Sequence, residues 1–149
     1  MHEKELMKEL ERAVGQRMGR TGKALMQQLD EELQKAGVSY STFQVIALAN
    51  VFRREGLNQQ TVAQMMHRDK ACATRLIDSL EEASLVVRVP DKSDRRQNLL
   101  YLTNEGRGMV HKFAMAARKT QEIALKGIND DELEIFNQVL DRIRHNLES

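Results

Sequence analysis

The sequence has little of what several classes of protein depend on. It contains one cysteine, one proline and no tryptophan, and aromatic residues make up 4% of its 149 positions. A single cysteine excludes an internal disulfide framework, which favours a reducing cytoplasmic compartment. No apolar run approaches the ~20 residues of a membrane-spanning helix, and the first residues lack the apolar core of a signal peptide. We therefore expect a cytoplasmic protein with no membrane partner.

Residue patterns of catalysis and cofactor binding are missing as well. The four histidines are scattered without metal-ligand spacing, and there is no glycine-rich phosphate loop. Cys72 would act as a nucleophile only beside a base contributed from elsewhere in the chain. The sequence thus predicts that the protein is not an enzyme and has no catalytic site, no metal site and no cofactor.

The composition is that of a globular domain, with 41% apolar residues, 30% charged residues and a net charge of +1. A chain of this length can bury a hydrophobic core. The middle is slightly basic, because residues 53–107 carry ten lysines and arginines against eight acidic residues. Since charged faces are usually just solvated, this contrast alone identifies no partner.

Residues 1–36 are predicted to form one long helix, because apolar residues recur there at steps of four with one interruption. Gly15, Gly19 and Gly22 share a helical face near that interruption. A glycine within a helix costs roughly 0.5–1 kcal/mol relative to alanine, so three of them need an explanation. They indicate either a kinked or frayed segment or the close approach of another helix or a ligand.

Three shorter helices are predicted to follow. Ser41 is a candidate N-cap for TFQVIALANVF, and Gly56 ends that helix. Asn58 can cap QQTVAQMMH, and a break at His67–Arg68 leads to Asp69 as the N-cap of KACATRLIDSLEEA. Two short helices joined by so tight a connection are typical of a helix-turn-helix.

A β-ribbon is predicted next, because LVVRV and NLLYL flank the charged segment Pro90–Gln97. The tip of this ribbon, DKSDRRQ, is too short and too charged to bury anything. Arg95 and Arg96 lie where the tip reaches furthest, and an arginine there can enter a narrow DNA minor groove. Asp94 is two residues from Arg96 and can orient its guanidinium. A ribbon directly after a helix-turn-helix is a wing.

Two more helices are predicted after the ribbon. Thr103 or Asn104 can cap the fifth helix, which ends at Gly127, and Asp130 begins the sixth. The sixth helix has apolar residues spaced three and four apart, the pattern of a helix that packs against a partner helix. These residues are Leu133, Phe136, Leu140, Ile143 and Leu147.

The helix KACATRLIDSLEEA is the candidate to enter a DNA major groove. Its predicted buried face consists of Ala73, Leu76, Ile77 and Leu80. The opposite face presents Ala71 and Arg75, with Thr74 on one flank and Cys72 on the other. Small side chains let a helix approach the groove, and a guanidinium suits guanine or phosphate. Taken alone, the helix is equally compatible with an ordinary solvated amphipathic helix.

The segment from Asp69 to Gly106 resembles the MarR family of bacterial winged-helix transcriptional regulators. The matching positions are Thr74, Arg75, Asp78, Leu80 and Glu81 in the helix, Leu85, Val86 and Arg88 in the first strand, Asp91, Asp94, Arg95 and Arg96 in the wing, and Leu102, Thr103 and Gly106 after it. Ser84 departs from the pattern, because the family usually has glycine there. If this turn requires a positive φ, serine carries strain of about 1 kcal/mol.

The resemblance implies a mainly α fold with a small β-ribbon, formed by residues 1–149 as a single domain. A winged helix-turn-helix lobe for DNA binding would span residues 41–104, and a helical dimerisation lobe would combine residues 1–36 and 105–149. It also implies a homodimer on a pseudo-palindromic operator in double-stranded DNA, with repression favoured over activation. We expect DNA contacts from Gln59, Lys70, Ala71, Thr74, Arg75, Asp94, Arg95 and Arg96.

The resemblance further implies a pocket for a small aromatic or phenolic effector between the two lobes. Five residues of the first helix are candidates to line it: Gly15, Met18, Gly19, Gly22 and Met26. They are equally compatible with simple packing.

Two alternative functions stay open. The first is a redox-sensing regulator, because a thiolate at Cys72 would be favoured near a helix N-terminus and Lys70. A small half-buried residue is the simpler interpretation of this cysteine. The second alternative is a protein-interaction module that uses the apolar stripes of the terminal helices and binds no specific DNA.

Overall fold

The computed structural model describes residues 2–65 and 70–149, which form helices and one antiparallel ribbon in the predicted order. The elements are α1 (Glu3–Arg12), α2 (Val14–Lys35), α3 (Thr42–Arg53), α4 (Gln59–Met65), α5 (Lys70–Glu82), β1 (Val86–Pro90), β2 (Asn98–Leu102), α6 (Asn104–Ala124) and α7 (Asp130–Glu148). The fold class inferred from the sequence, mainly α with a small β-ribbon, is confirmed. None of the described helices combines the length and apolarity needed to cross a membrane.

The first helix differs from the prediction. Instead of one helix over residues 1–36, the chain forms α1 and α2, with Ala13 between them in an extended conformation at ψ 117°. The break lies two residues before Gly15, so it is close to the glycines but not at one of them. A β-carbon added at Gly15, Gly19 or Gly22 would have no neighbour within 4 Å in this chain. Within one subunit, therefore, no other helix packs closely against these glycines.

Side-chain caps begin the helices of the middle segment. Ser41 and Gln44 form a capping box, in which the Gln44 backbone N–H donates to Ser41 Oγ at 3.2 Å and the Ser41 N–H donates to Gln44 Oε1 at 2.9 Å. Asn58 Oδ1 accepts the Thr61 N–H at 2.8 Å at the start of α4. Both predicted caps are confirmed. The predicted break at His67–Arg68 and the predicted cap at Asp69 lie outside the described residues.

The hydrophobic core of the middle segment joins α3, α4 and α5 to both strands. Its fully buried members include Leu48 on α3, Val62 on α4, Ile77 on α5 and Leu100 on β2. Burying one such side chain contributes about 1.5–3 kcal/mol. A second cluster connects this segment to α2 and α6 and consists of Leu29, Leu33, Val38, Val45 and Ala116. The middle segment thus has its own core, and the long helices are attached to it.

The ribbon is anchored to the segment before α4. Val86 pairs with Leu102 at the start of the ladder, which then runs antiparallel to the tip. Leu100 accepts the Gly56 N–H at 2.9 Å and donates its own N–H to the Leu57 carbonyl at 3.0 Å. These backbone bonds tie the middle of β2 to the segment between α3 and α4, so the ribbon has a defined direction relative to α4.

The turn between α5 and β1 contains the one non-glycine residue with positive φ in the described parts of the chain. Ser84 has φ 60°, and its N–H donates to the Glu81 carbonyl at 2.9 Å. The Leu85 N–H donates to the Leu80 carbonyl at 2.9 Å, which completes the hydrogen-bond pattern of a Schellman motif. Glycine is the usual residue at this position because it has no β-carbon to strain. The sequence-based suspicion about Ser84 is confirmed.

We expect Ser84→Gly to stabilise the protein by about 0.5–1 kcal/mol, since relief of the left-handed conformation outweighs the added freedom of the unfolded chain. Urea unfolding followed by circular dichroism measures the change. Ser84→Ala keeps the β-carbon and serves as the control, with a midpoint near that of the parent protein. Equal effects of glycine and alanine would show that no backbone strain is stored here.

Glu55 joins the end of α3 to the start of α6. Its Oε1 accepts the Leu102 N–H at 2.9 Å, and both carboxylate oxygens lie 2.7 Å from Arg107 Nη2. The hydrogen bond from Arg107 and the one from the Leu102 N–H lower the pKa of the Glu55 carboxyl. The charged carboxylate therefore helps to fix the direction in which α6 leaves the ribbon.

The terminal helices expose apolar surface. α7 is capped by Asn129, as its Oδ1 accepts the Glu132 N–H at 2.8 Å, but none of the residues of α7 is buried. On α1 and α7 the exposed large apolar side chains are Leu6, Met7, Leu10, Ile135, Phe136, Val139 and Leu147. Large apolar side chains left exposed in this number are typical of an interaction site.

Candidate nucleic-acid interface

α5 has the two faces that the sequence predicts. Ala73, Ile77 and Leu80 are at most 1% exposed and pack into the middle core, while Leu76 is partly buried against it. Lys70, Ala71 and Arg75 are exposed on the other side, and Thr74 and Cys72 on the flanks are half-buried. The packing of one face thus leaves a small residue and a cation exposed near the start of α5.

Four of the predicted DNA-contacting residues line one polar recess. This recess has a volume of roughly 250 Å³ and lies where α4, α5 and the tip end of the ribbon meet. Gln59, Lys70, Thr74 and Arg96 line it together with Asn58, whose Nδ2 donates to Gln97 Oε1 at 3.1 Å. Two cations and several amide groups converge on a space that is large enough for a phosphate group.

The walls of this recess are held by side-chain hydrogen bonds. Gln59 Nε2 donates to Thr74 Oγ1 at 3.3 Å, and Thr74 Oγ1 donates to the Lys70 carbonyl at 2.8 Å. The first turns of α4 and α5 are therefore linked through two of the predicted contact residues. Lys70 stands at the N-terminus of α5, where the helix dipole adds to its positive charge.

The tip of the ribbon is shaped by its two aspartates. Asp91 Oδ1 accepts the backbone N–H of Ser93 at 2.9 Å and the Ser93 hydroxyl at 2.8 Å. These two bonds lower the pKa of the Asp91 carboxyl. Both carboxylates thus bond to the turn itself, while Lys92, Arg95 and Arg96 stay exposed.

The proposed role of Asp94 needs correction. The sequence suggested that its carboxylate orients the Arg96 guanidinium, but Asp94 Oδ1 accepts the backbone N–H of Arg96 at 3.1 Å. The Asp94 carbonyl also accepts the Gln97 N–H at 3.0 Å. A short polar side chain that bonds to the backbone two residues on forms an Asx-turn. Asp94 therefore holds the shape of the tip and not the direction of a guanidinium.

Sequence reasoning missed the role of Arg88 in this region. Its side chain is 17% exposed and bonds to Gln59, Asp78 and Glu81, at distances of 2.9, 2.5 and 2.9 Å. One charged residue inside the apolar run LVVRV was the available signal. The partners could not be found from the sequence, since they lie 7 to 29 positions away.

The five predicted effector-pocket residues do not surround one cavity. Met18 lines a groove against α7, and Met26 lines a separate groove between α2 and α6. A larger groove of roughly 670 Å³ lies between α3 and α6, where Phe52 and Phe113 form part of an apolar lining with Arg53 and Arg118. The structure thus provides a cavity between the middle segment and a long helix, but with other residues than those predicted.

Chemical groups for metal binding are not brought together in residues 2–65 and 70–149. No cluster of three or more histidine, cysteine, aspartate or glutamate side chains there has a metal-binding arrangement. Cys72 is half-buried on the flank of α5 that faces away from Thr74.

Comparisons with known proteins agree with this geometry. The model of the MarR family matches residues 43–97, which run from α3 to the tip of the ribbon, before β2. The HTH-type transcriptional regulator YybA of Bacillus subtilis is 27% identical over 105 residues, or 70% of each chain. The crystal structure of the transcriptional regulator SlyA superposes with a TM-score of 0.81 at 24% identity, covering 91% of this chain and 94% of that one. The crystal structure of a MarR-family regulator of Rhodococcus sp. RHA1 superposes with a TM-score of 0.76 at 27% identity, covering 87% of this chain and 91% of that one.

Proposed function

We infer that the chain is a winged-helix DNA-binding transcriptional regulator of the MarR family, and we propose that it is a repressor that binds a pseudo-palindromic operator as a homodimer. In the proposed arrangement, residues 41–104 form the DNA-binding lobe, and residues 1–36 and 105–149 form the dimerisation lobe. A protein that acts on the chromosome of a bacterium would work in the cytoplasm. We further propose that a small aromatic anion controls the binding.

The convergence of α5 and the wing on one polar recess carries the proposal. Lys70 and Arg96 come from elements far apart in the chain, yet they line the same space of roughly 250 Å³. A DNA phosphate placed there would have α5 on one side, in the major groove, and the tip of the ribbon on the other, in the minor groove. In this arrangement Arg75 contacts base edges and Arg96 contacts the backbone and the minor groove.

The apolar faces of α1 and α7 support the homodimer. Leu10 and Phe136 are each 55% exposed in one chain, and such surface favours burial against a second copy. A two-fold dimer presents two copies of α5 about one DNA turn apart, which corresponds to two inverted half-sites.

The groove between α3 and α6 supports control by an aromatic anion. Its apolar lining includes Phe52 and Phe113, which suit an aromatic ring, while Arg53 can pair with a carboxylate or phenolate. Arg118 also lines the groove but pairs with Glu122 at 3.4 Å. α3 belongs to the core that holds α5, and α6 belongs to the proposed dimerisation lobe. A ligand between them can change the spacing of the two recognition helices.

Selection of bound duplexes from a random DNA pool tests the proposed function. We expect enrichment of one sequence with inverted symmetry, and fluorescence anisotropy should give tighter binding to it than to a scrambled duplex of equal length. Repeating the titration with benzoate- and phenolate-type compounds tests the effector. Uniform binding of every duplex, or none at all, would reject the regulator proposal and favour a protein-interaction module.

Arg75 and Arg96 are expected to contribute differently to binding of the selected duplex. Arg75→Ala should cost about 1–3 kcal/mol and relax the preference at one base pair per half-site, because a bidentate base contact is lost. Arg96→Ala should weaken binding to all duplexes and reduce the salt slope by about one, as expected for a phosphate contact. Anisotropy titrations at several salt concentrations separate the two effects.

Asp94→Ala is expected to change the DNA affinity in the direction opposite to the one that simple electrostatics predicts. Removing a negative charge should strengthen DNA binding, whereas losing the Asx-turn should weaken it by disordering the tip, and we expect the weakening. Glu134→Ala removes an exposed carboxylate from α7 and is the matched control, with unchanged affinity. Parent-like binding by Arg96→Ala together with tighter binding by Asp94→Ala would make the tip a solvated hairpin only.

A further inference from the structure

The Arg88 guanidinium connects three elements of the interface. It is carried by β1, and its Nε donates to Gln59 Oε1, at the start of α4, at 2.9 Å. Its two terminal nitrogens donate to carboxylates of α5, at 2.5 Å to Asp78 and 2.9 Å to Glu81. A guanidinium can make three such bonds at once because its donors form a rigid planar fork.

The partners of Arg88 extend to the predicted DNA-contacting surface. Thr74, Asp78 and Glu81 are spaced four and three residues apart, so they lie along one flank of α5. Arg88 holds two of them directly, and Gln59 bonds both to Arg88 and to Thr74. The bonds therefore run without a gap from the ribbon to the side chain that lines the recess.

The charges of this cluster have a consequence for binding a polyanion. The Asp78 and Glu81 side chains are 50% and 44% exposed, and they are carried by the helix proposed to approach DNA. Without a cation beside them, both carboxylates would repel phosphates. Arg88 is only 17% exposed and is surrounded by these partners, so its own position suits neutralisation better than direct contact with a phosphate.

We propose that Arg88 is a positioning residue for operator recognition, which rests on the proposed DNA-binding function. It fixes α5 relative to the ribbon and to α4, so that the recognition helix and the wing engage the same DNA site together. It acts through Asp78, Glu81 and Gln59 and does not touch DNA. Its loss lowers the discrimination between the operator and other sequences more than the affinity for DNA in general.

The binding test compares Arg88→Met with Arg88→Lys on the selected duplex and on a scrambled duplex. For Arg88→Met we expect a loss of about tenfold or more on the selected duplex, a clearly smaller loss on the scrambled one, and an unchanged salt slope. Arg88→Lys restores only part of the discrimination, because an ammonium cannot bridge three partners. Equal losses on both duplexes with a slope reduced by about one would identify a phosphate ligand instead and overturn the proposal.

Substitution of the two carboxylates gives a second test, because electrostatics and positioning predict opposite changes in DNA affinity. Asp78→Asn with Glu81→Gln removes two negative charges, so electrostatics alone predicts tighter binding to every duplex. Positioning by Arg88 predicts weaker binding to the selected duplex. Urea unfolding of each variant is measured in parallel. A lower midpoint with unchanged discrimination would mean that the cluster only stabilises the fold, and the proposal would be wrong.

A distance measurement tests the positioning without DNA. Spin labels are attached to Glu82→Cys on α5 and Lys92→Cys on the ribbon, in a Cys72→Ser background and diluted with unlabelled protein to isolate pairs within one chain. We expect a narrow distance distribution that Arg88→Met broadens. An unchanged distribution overturns the proposal even if the protein binds DNA specifically. Broadening in a protein without sequence preference would instead reject the regulator function and retain the structural link.

Discussion

Gly106→Ala should reduce the stability of the protein by about 3 kcal/mol or more, the largest single-residue effect expected for the described chain. A β-carbon at Gly106 would lie 2.1 Å from the Leu85 carbonyl oxygen and 3.3 Å from Leu102 Cδ2. The first contact is with backbone, which cannot rotate away as a side chain could. The same Leu85 oxygen also accepts the Thr103 N–H at 3.1 Å, so moving it breaks a second interaction.

Gly108 provides the matched control for this substitution. It lies two residues further along α6, and an added β-carbon would meet nothing within 4 Å. Gly108→Ala should therefore stabilise the protein by about 0.5–1 kcal/mol through helix propensity alone. Urea unfolding followed by circular dichroism compares the two. A Gly106→Ala protein as stable as the parent would mean that the Leu85 backbone and α6 are not in close contact.

The predictions that succeeded depend on short stretches of sequence. Ser41, Asn58 and Thr103 each bond to a backbone N–H three residues away, so a local pattern was sufficient to find them as caps. The two faces of α5 follow from helical periodicity in the same way. Gly106 was named from the sequence only as a position that matches the family pattern, and its close approach to the Leu85 oxygen became visible only in the structure.

The predictions that failed or were missed depend on contacts between distant parts of the chain. Arg88 bonds to Gln59, 29 positions earlier, and no periodicity identifies such a partner. Asp94 was assigned to a guanidinium because alternation along a strand was assumed, whereas the residue lies in a turn and bonds to backbone. For the break at Ala13 neither the sequence nor the contacts of one chain give a reason.

The apolar residues of α7 have no sufficient partner within one subunit. Leu140 and Ile143 are half-buried, and both line a groove that includes Met18 of α2. Phe136 is 55% exposed on the same face. Because the helix buries none of its residues, its stripe would face water in a monomer, which is unfavourable by about 25 cal/mol per Å² of apolar surface. A second copy that contributes its own α1, α2 and α7 would cover it.

Leu140→Asp combined with Ile143→Asp should abolish the proposed homodimer. Each substitution places a carboxylate in an apolar contact, at a cost of several kcal/mol, on the order of the free energy of unfolding of a small domain. Sedimentation velocity should show monomers or unfolded chains. The affinity for the operator should be lost, because a monomer contacts only one of the two half-sites. Gln138→Asp with His145→Asp introduces the same charges on exposed positions outside the stripe, and this variant should sediment as the parent dimer.

Phe136→Asp separates dissociation from unfolding, because this side chain is mostly exposed within a single chain. A folded protein with parent-like circular dichroism but the mass of a monomer would show that the stripe contacts a second copy. Weak binding to an isolated half-site should persist in such a monomer, since α5 and the wing belong to the separately packed middle core. A stable dimer in both the double variant and Phe136→Asp would place the subunit contact elsewhere and leave the α7 stripe for a different partner.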